Sequence, residues 1–235
     1  MARLPRVVVP GLPHHVTQRG NRRQRTFFGD EDYAEYRRLL STSCRACGTQ
    51  VLGYCLMPNH VHLILVPGDE LGLREALGEA HRRYTRMINF REGWRGHLWQ
   101  ERFHSFVMDE RHLIAAARYV ERNPVRARLC ARPQDWPWSS ARAHLAAADD
   151  ELVSVHPLLE LVSDWERFIG EPDGPDIADL LRAHTSTGRP LGPNSFVEDL
   201  EQRLRRPLKR KNPGRRQRDQ TLTLMTSLRP WNGNR

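Results

Sequence analysis

Two short stretches of this sequence carry side chains that can do chemistry together. The first is His60-Val61-His62. On a strand, alternate residues share a face with Cα atoms about 6 to 7 Å apart, so both imidazoles can converge on one divalent ion while Val61 points away. Taken alone, the pair fits two packed structural histidines better. The second stretch is Tyr119-Val-Glu-Arg-Asn123-Pro124. Residues i and i+4 of a helix lie on one face, which lets the Tyr119 phenol and the Asn123 carboxamide address the same point. Taken alone, a core tyrosine and a helix-ending Asn explain it more simply. Together, two imidazoles, an amide oxygen and a phenol compose a site for metal-assisted phosphoryl transfer. Such donors accept Mg²⁺ or Mn²⁺, with the nitrogen ligands tilting toward Mn²⁺.

Tyr84, within His81-Arg-Arg-Tyr84-Thr-Arg, is the alternative nucleophile. Residue 88 is Ile, so no ligand follows four residues on, and packing or DNA contact is the preferred role. His14 and His15 lie on an expected strand; one can face the site, with packing the default for both. Cys44 and Cys47 form a lone C-x-x-C, read as two small residues on a helix face, and four cysteines in all fit a reducing compartment.

These residues need a scaffold. Residues 14–19 read as a strand, followed by the basic turn Gly20-Asn21-Arg22-Arg23. Asp30 is placed to cap a helix over 30–47 that stops at Gly48. Residues 50–57 and 60–66 read as a hairpin about Pro58-Asn59. A helical pattern covers 71–90, residues 100–108 look extended, and Asp109 is placed to cap a helix that ends near Asn123, ahead of Pro124. This β-α-β-β-α-β order predicts an α+β, ferredoxin-like split βαβ fold: an antiparallel sheet with helices on one face and the His60 strand inside it. Residues 131–150 read as a segment wrapping back over the core. The expected organisation is a catalytic domain over 1–150, a helical extension over 151–202, and a basic, disordered nucleic-acid-binding arm over 203–235. Short helices are expected at 156–169, 177–184 and 188–206.

The chain has 235 residues, with 37 Lys plus Arg against 28 Asp plus Glu, for a net charge of +9. That balance suits a partner rich in phosphate. Only Lys209 and Lys211 are lysines, so nearly every cation is the planar fork that grips phosphate, although a GC-rich genome also favours arginine codons. Arg19, Arg22, Arg23 and Arg25 are the leading candidates for a clamp on a nucleic-acid backbone, followed by Arg82, Arg83 and Arg86. Lys209, Arg210 and Lys211 belong to a run over 203–218 with nine basic residues and no acid. Trp94 and Trp99 are candidates for base stacking, with burial the more ordinary fate. No apolar run approaches the roughly 20 residues of a membrane span, and no signal-like segment opens the sequence, so a cytoplasmic protein is expected.

The stretches Gly53-Tyr-Cys-Leu-Met-Pro-Asn-His60-Val-His62-Leu, Gly96-His-Leu-Trp-Gln-Glu-Arg-Phe103, Tyr119-Val-Glu-Arg-Asn123-Pro-Val and Trp136-Pro-Trp-Ser-Ser140 occur in this order. In that order they resemble the REP-associated tyrosine transposases, IS200-like members of the HUH endonuclease superfamily, over about residues 10–145. The resemblance implies a single-tyrosine nuclease and strand transferase acting on single-stranded or hairpin DNA, with a 5′-phosphotyrosine intermediate. It implies His60 and His62 as metal ligands and Tyr119 as nucleophile. In related transposases a Gln four residues beyond the nucleophile completes the metal site; Asn123 holds that position here. Competing readings are a non-cleaving DNA-binding regulator on the same scaffold and an RNA-binding module. Monomer and homodimer are both open.

Overall fold

The computed structural model describes residues 5–209, apart from 173 and 175. Strands β1 (His14–Arg19), β2 (Gln50–Met57), β3 (His60–Val66) and β4 (His104–Val107) alternate with helices α1 (Asp30–Ala46) and α2 (Gly72–Glu92) in the expected order. They form one antiparallel sheet ordered β2-β3-β1-β4, with β3 in the interior. Of the stretch 100–108, only 104–107 joins the sheet. Residues before it form a loop that touches the basic turn through a Gly20–Trp99 bridge. A side chain at Gly20 would collide with the Gln24 carbonyl and the Thr26 methyl, so this position has to be glycine.

The period of two along β3 divides the molecule. Val61, Leu63 and Leu65 join Val16, Tyr54 and Leu56 on one face, where α1 and α2 cover them with Tyr36, Leu39, Leu40, Leu73, Leu77 and Ile88. These are the ferredoxin-like helices, on one face as expected. Asp30 does not cap α1: Gly29 precedes the helix, and the Asp32 carboxylate accepts the Phe28 N–H while pairing with Arg91 of α2. The buried Cys44 and its neighbour Cys47 remain free thiols on this side.

The opposite face is covered as well. α3 (Glu110–Glu121) lays Leu113, Ala116, Ala117 and Val120 over Met57, Ile64 and Phe106. Asp109 caps it as expected, accepting the His112 N–H at 3.0 Å. The chain does not leave the helical region ahead of Pro124. Arg122 keeps right-handed angles (φ −85°, ψ −2°) and α4 (Asn123–Arg126) follows, with Pro124 in its first turn, where a missing N–H costs nothing.

Residues 131–150 run along the outer edge of β2, with Leu56 N–H donating to Trp138 O at 2.8 Å and Ser140 N–H to Tyr54 O at 3.0 Å. They lead into α5 (Ala141–Leu145), α6 (His156–Leu159) and α7 (Trp165–Gly170). The expected helix over 156–169 is therefore two, the second restarted by Asp164, whose carboxylate accepts the Arg167 N–H. At the junction lies the buried carboxylate of Glu121, which accepts Ser140 Oγ at 2.6 Å, His144 Nδ1 at 2.6 Å and Trp165 Nε1 at 2.9 Å. α8 (Ile177–Thr187) then packs beside β4, and Leu191 exchanges backbone hydrogen bonds with Val107 and Asp109. α9 (Asn194–Leu204) buries Leu200 against Val7 and Val9.

Two stability predictions follow from this packing. Glu121→Ala leaves three buried donors without their acceptor and should cost about 3 kcal/mol or more, read as a lower urea midpoint; an unchanged midpoint would contradict the lock. Burial pushes the pKa of His14 down to about 4 and that of His81 to about 3. Both regain an ordinary value near 6.5 on unfolding, so the unfolded chain binds more protons between pH 6.5 and about 4. Stability should therefore fall as the pH is lowered through that window. A urea midpoint that stays level from pH 7 to 4.5 would contradict it.

Candidate active site

His60 and His62 stand on the β3 face turned toward α3, their ring centroids 5.0 Å apart. The residue before them orients the first ring: Asn59 Oδ1 accepts from His60 Nδ1 at 2.6 Å while Asn59 Nδ2 donates to the Arg23 carbonyl at 3.1 Å. An amide oxygen only accepts, so Nδ1 carries the proton and His60 Nε2 keeps its lone pair. His15, on neighbouring β1, meets His62 through an Nε2 to Nδ1 contact of 3.2 Å with the rings stacked. One of these two nitrogens donates to the other, and where the donor is His62 Nδ1 its Nε2 keeps the lone pair. Burial, reinforced by Arg19, pushes His60 down to about 4. Burial, then the neighbouring His60, His15, Arg126 and Arg19, holds His62 well below the usual imidazole range. Both rings are thus neutral at physiological pH, the form in which imidazole binds a metal.

Tyr119 comes from the last turn of α3, its ring centroid 5.8 Å from that of His62 and 6.4 Å from that of His15. Because Arg122 stays helical, Asn123 falls one turn beyond Tyr119 and lines the same cavity. Arg126 falls two turns beyond and lays its guanidinium 3.7 Å from the Tyr119 ring centroid. The cavity measures about 890 Å³ and is also bordered by Thr17, Gln18, Arg19, Arg23, Gln100 and His104. No Asp or Glu is among the described residues that line it.

The donor set suits a divalent cation that tolerates nitrogen. Among the described residues no three His, Cys, Asp or Glu side chains form a metal group, and the third ligand expected from the sequence is an amide. Asn123 offers one: it is buried at the cavity wall, and its Nδ2 has no hydrogen-bond partner.

The other candidates separate. Arg19 and Arg23 border the cavity, whereas Arg22 and Arg25 are exposed beyond it. Arg22 and Arg23 both have left-handed backbones (φ 53° and 62°), strain concentrated at the turn beside the histidines. Arg82, Arg83 and Arg86 lie on α2, on the other side of the sheet, where Arg82 pairs with Glu79. Lys209 pairs with Glu198; Arg210 and Lys211, with most of the basic arm, lie outside the described residues. Tyr84 is excluded from the site. It is buried among Phe27, Tyr36 and Trp99 on the α1–α2 face, and its hydroxyl donates to Thr26 O at 2.7 Å. Trp99 is buried there too, while Trp94 is partly exposed against Phe28. His14 packs away from the site, between Val9 N–H and Leu12 O. Sequence reasoning missed Arg126, although its spacing of seven from Tyr119 is two helical turns, and it gave His15 to packing.

Comparison with known proteins places this arrangement. No curated protein matches the sequence. Among solved structures, a REP-associated tyrosine transposase bound to a REP hairpin shares the fold, with a TM-score of 0.51 and 20% identity over 66% of this chain and 92% of that one. A putative transposase from Deinococcus radiodurans R1 aligns with a TM-score of 0.37 and 21% identity, over 51% of this chain and 96% of its own. The family model for IS200-like transposases matches residues 8–123, a span that holds all four strands, both histidines of the pair, Tyr119 and, as its last residue, Asn123. Over that segment, just under half of its length, the chain matches the IS200-like transposase family.

Proposed function

We propose that this protein is a metal-dependent, site-specific single-stranded DNA endonuclease and strand transferase in which Tyr119 is the nucleophile. One observation carries the reading: two neutral imidazoles from β3 and a phenol and an amide from the α3–α4 stretch border one cavity together with arginines and, among the described residues, no carboxylate. A hydrolytic site that activates water through a general base would ordinarily place an acid or a basic imidazole there. Here the phenol is the group at hand, and the surrounding positive charge suits a phosphodiester.

The Tyr119 oxygen attacks the scissile phosphorus as its proton passes to solvent. The bond from phosphorus to the 3′-oxygen breaks, that oxygen takes up a proton, and a 5′-phosphotyrosine remains on the protein. One phosphodiester replaces another, so a 3′-hydroxyl can reverse the step and rejoin strands without a nucleotide cofactor. His60, His62 and the Asn123 amide would hold a divalent cation, Mg²⁺ or Mn²⁺, whose charge polarises the scissile phosphate. Asn59 and His15 keep the two imidazoles turned to that task. Arg126 and Arg19 meet the charge of the strand. The neighbour's REP hairpin suggests the substrate: a hairpin flanked by single-stranded DNA that carries the cleavage site. In this reading 1–150 is the catalytic domain, 151–202 a helical extension, and 203–235 an arm that adds DNA affinity.

Incubation with a cleavable single strand and Mn²⁺ should yield an SDS-stable adduct on the 5′ end of the downstream fragment. Tyr119→Phe should bind DNA and form no adduct, whereas Tyr84→Phe should lose about 1 kcal/mol of stability and still form it. Cleavage without any adduct would show attack by water, and binding without cleavage in every metal would favour the regulator. His15→Phe removes the partner that orients His62 and should weaken Mn²⁺ binding about tenfold or more, measured by titration calorimetry. Unaltered Mn²⁺ affinity would reduce His15 to packing.

A further inference from the structure

The segment that matches the family ends at residue 123, but the cavity does not. Beyond Arg126 and Ala127, its remaining wall is α8, which contributes Leu181, Arg182, Thr185 and Ser186. These are positions i, i+1, i+4 and i+5, one face of a helix. The helix is anchored in place. Leu181 is buried, His104 Nδ1 bonds to the Thr185 carbonyl at 3.0 Å, and His184 packs on Phe106 while bonding to Arg189 O. Beyond it, Leu191 is tied to the end of β4.

Arg182 is the charged group on this wall. Its side chain is 67% exposed, and its partner is Asp179 at 2.5 Å, itself 82% exposed. An ion pair in that setting is worth little, so a phosphate can displace the carboxylate at low cost. Every other ionised side chain on the cavity wall, Arg19, Arg23 and Arg126, is also a cation.

We propose that Arg182 is a phosphodiester clamp: α8 completes the DNA-binding cleft from outside the family segment, and Arg182 grips the backbone of the single strand facing the histidine pair, with Asp179 holding the guanidinium ready until DNA arrives. The proposal rests on the nuclease reading above, since it requires a strand in this cavity.

The test is a salt titration of binding, by fluorescence anisotropy of a labelled single-stranded oligonucleotide, on the full chain carrying Tyr119→Phe so that no turnover intervenes. Adding Arg182→Ala should weaken binding about fivefold at low salt and reduce the slope of log K against log salt by about 0.7, the loss of one phosphate contact. Asp179→Asn should act in the opposite direction, tightening binding about twofold. Both positions are exposed, so neither change should move the thermal midpoint. A wild-type affinity and slope for Arg182→Ala would overturn the clamp, as would faster cleavage when the same change is made with Tyr119 intact, which would mark α8 as a barrier. Loss of the tyrosine adduct would overturn the nuclease reading and leave these binding measurements standing.

Discussion

The buried carboxylate of Glu121 holds together the face that carries the histidine pair and Tyr119. It lies two residues after Tyr119, so it points to a different side of α3 from the phenol. Its three donors come from the segment along the edge of β2, from α5 and from α7. A carboxylate taken out of water is costly unless its lone pairs are filled, and here they are filled by parts of the chain 19 to 44 residues away in sequence. Satisfying Glu121 thus sets the position of α3 against the sheet. Tyr119 is then held above His62 by the opposite side of the same helix.

The sheet has a demand of its own. β3 must bury Val61, Leu63 and Leu65 on one side while presenting His60 and His62 on the other. α1 and α2 meet the first requirement. On the second side Ile64, Phe106 and Met57 would be left in water next to the histidines, and α3 with the residues after 150 covers them. The covering is incomplete over His60, His62 and Tyr119, and that gap is the cavity. Structural cover and cavity wall are therefore the same elements, which is why a helix as distant as α8 borders the chemistry.

Partial burial also sets the character of the site. Desolvation keeps the imidazoles neutral, the hydrogen bond to Asn59 sets which nitrogen His60 presents, His15 stacks on His62, and arginines at the mouth supply the positive charge that neutral imidazoles lack. The left-handed Arg22 and Arg23 belong to the same design, because the Arg23 carbonyl holds the amide of Asn59, which in turn holds His60.

What the sequence determined by itself was everything written in short periods. Alternation along 60–66, the i and i+4 spacing of Tyr119 and Asn123, and the breaks at Gly48 and Pro58-Asn59 are local, so the strands, the hairpin, the order of elements and the ferredoxin-like sheet could be read before any contact was known. Asp109 as a cap was legible for the same reason. The tertiary structure decided whatever depended on which face a side chain met. Period two puts His14 and His15 on opposite faces of β1 without saying which face meets the site, and only the pairing with β3 turns His15 toward His62 and His14 away. Tyr84 and Tyr119 are both tyrosines on helices with arginines beside them, and only packing buries the first under Thr26 while the second lines the cavity. Asp32 rather than Asp30 holds the start of α1, because Arg91 approaches from another helix. Glu121 and Arg182 carried no local signal, since the partners of one and the cavity beside the other are assembled from residues far apart in the chain, brought together only when the core closes.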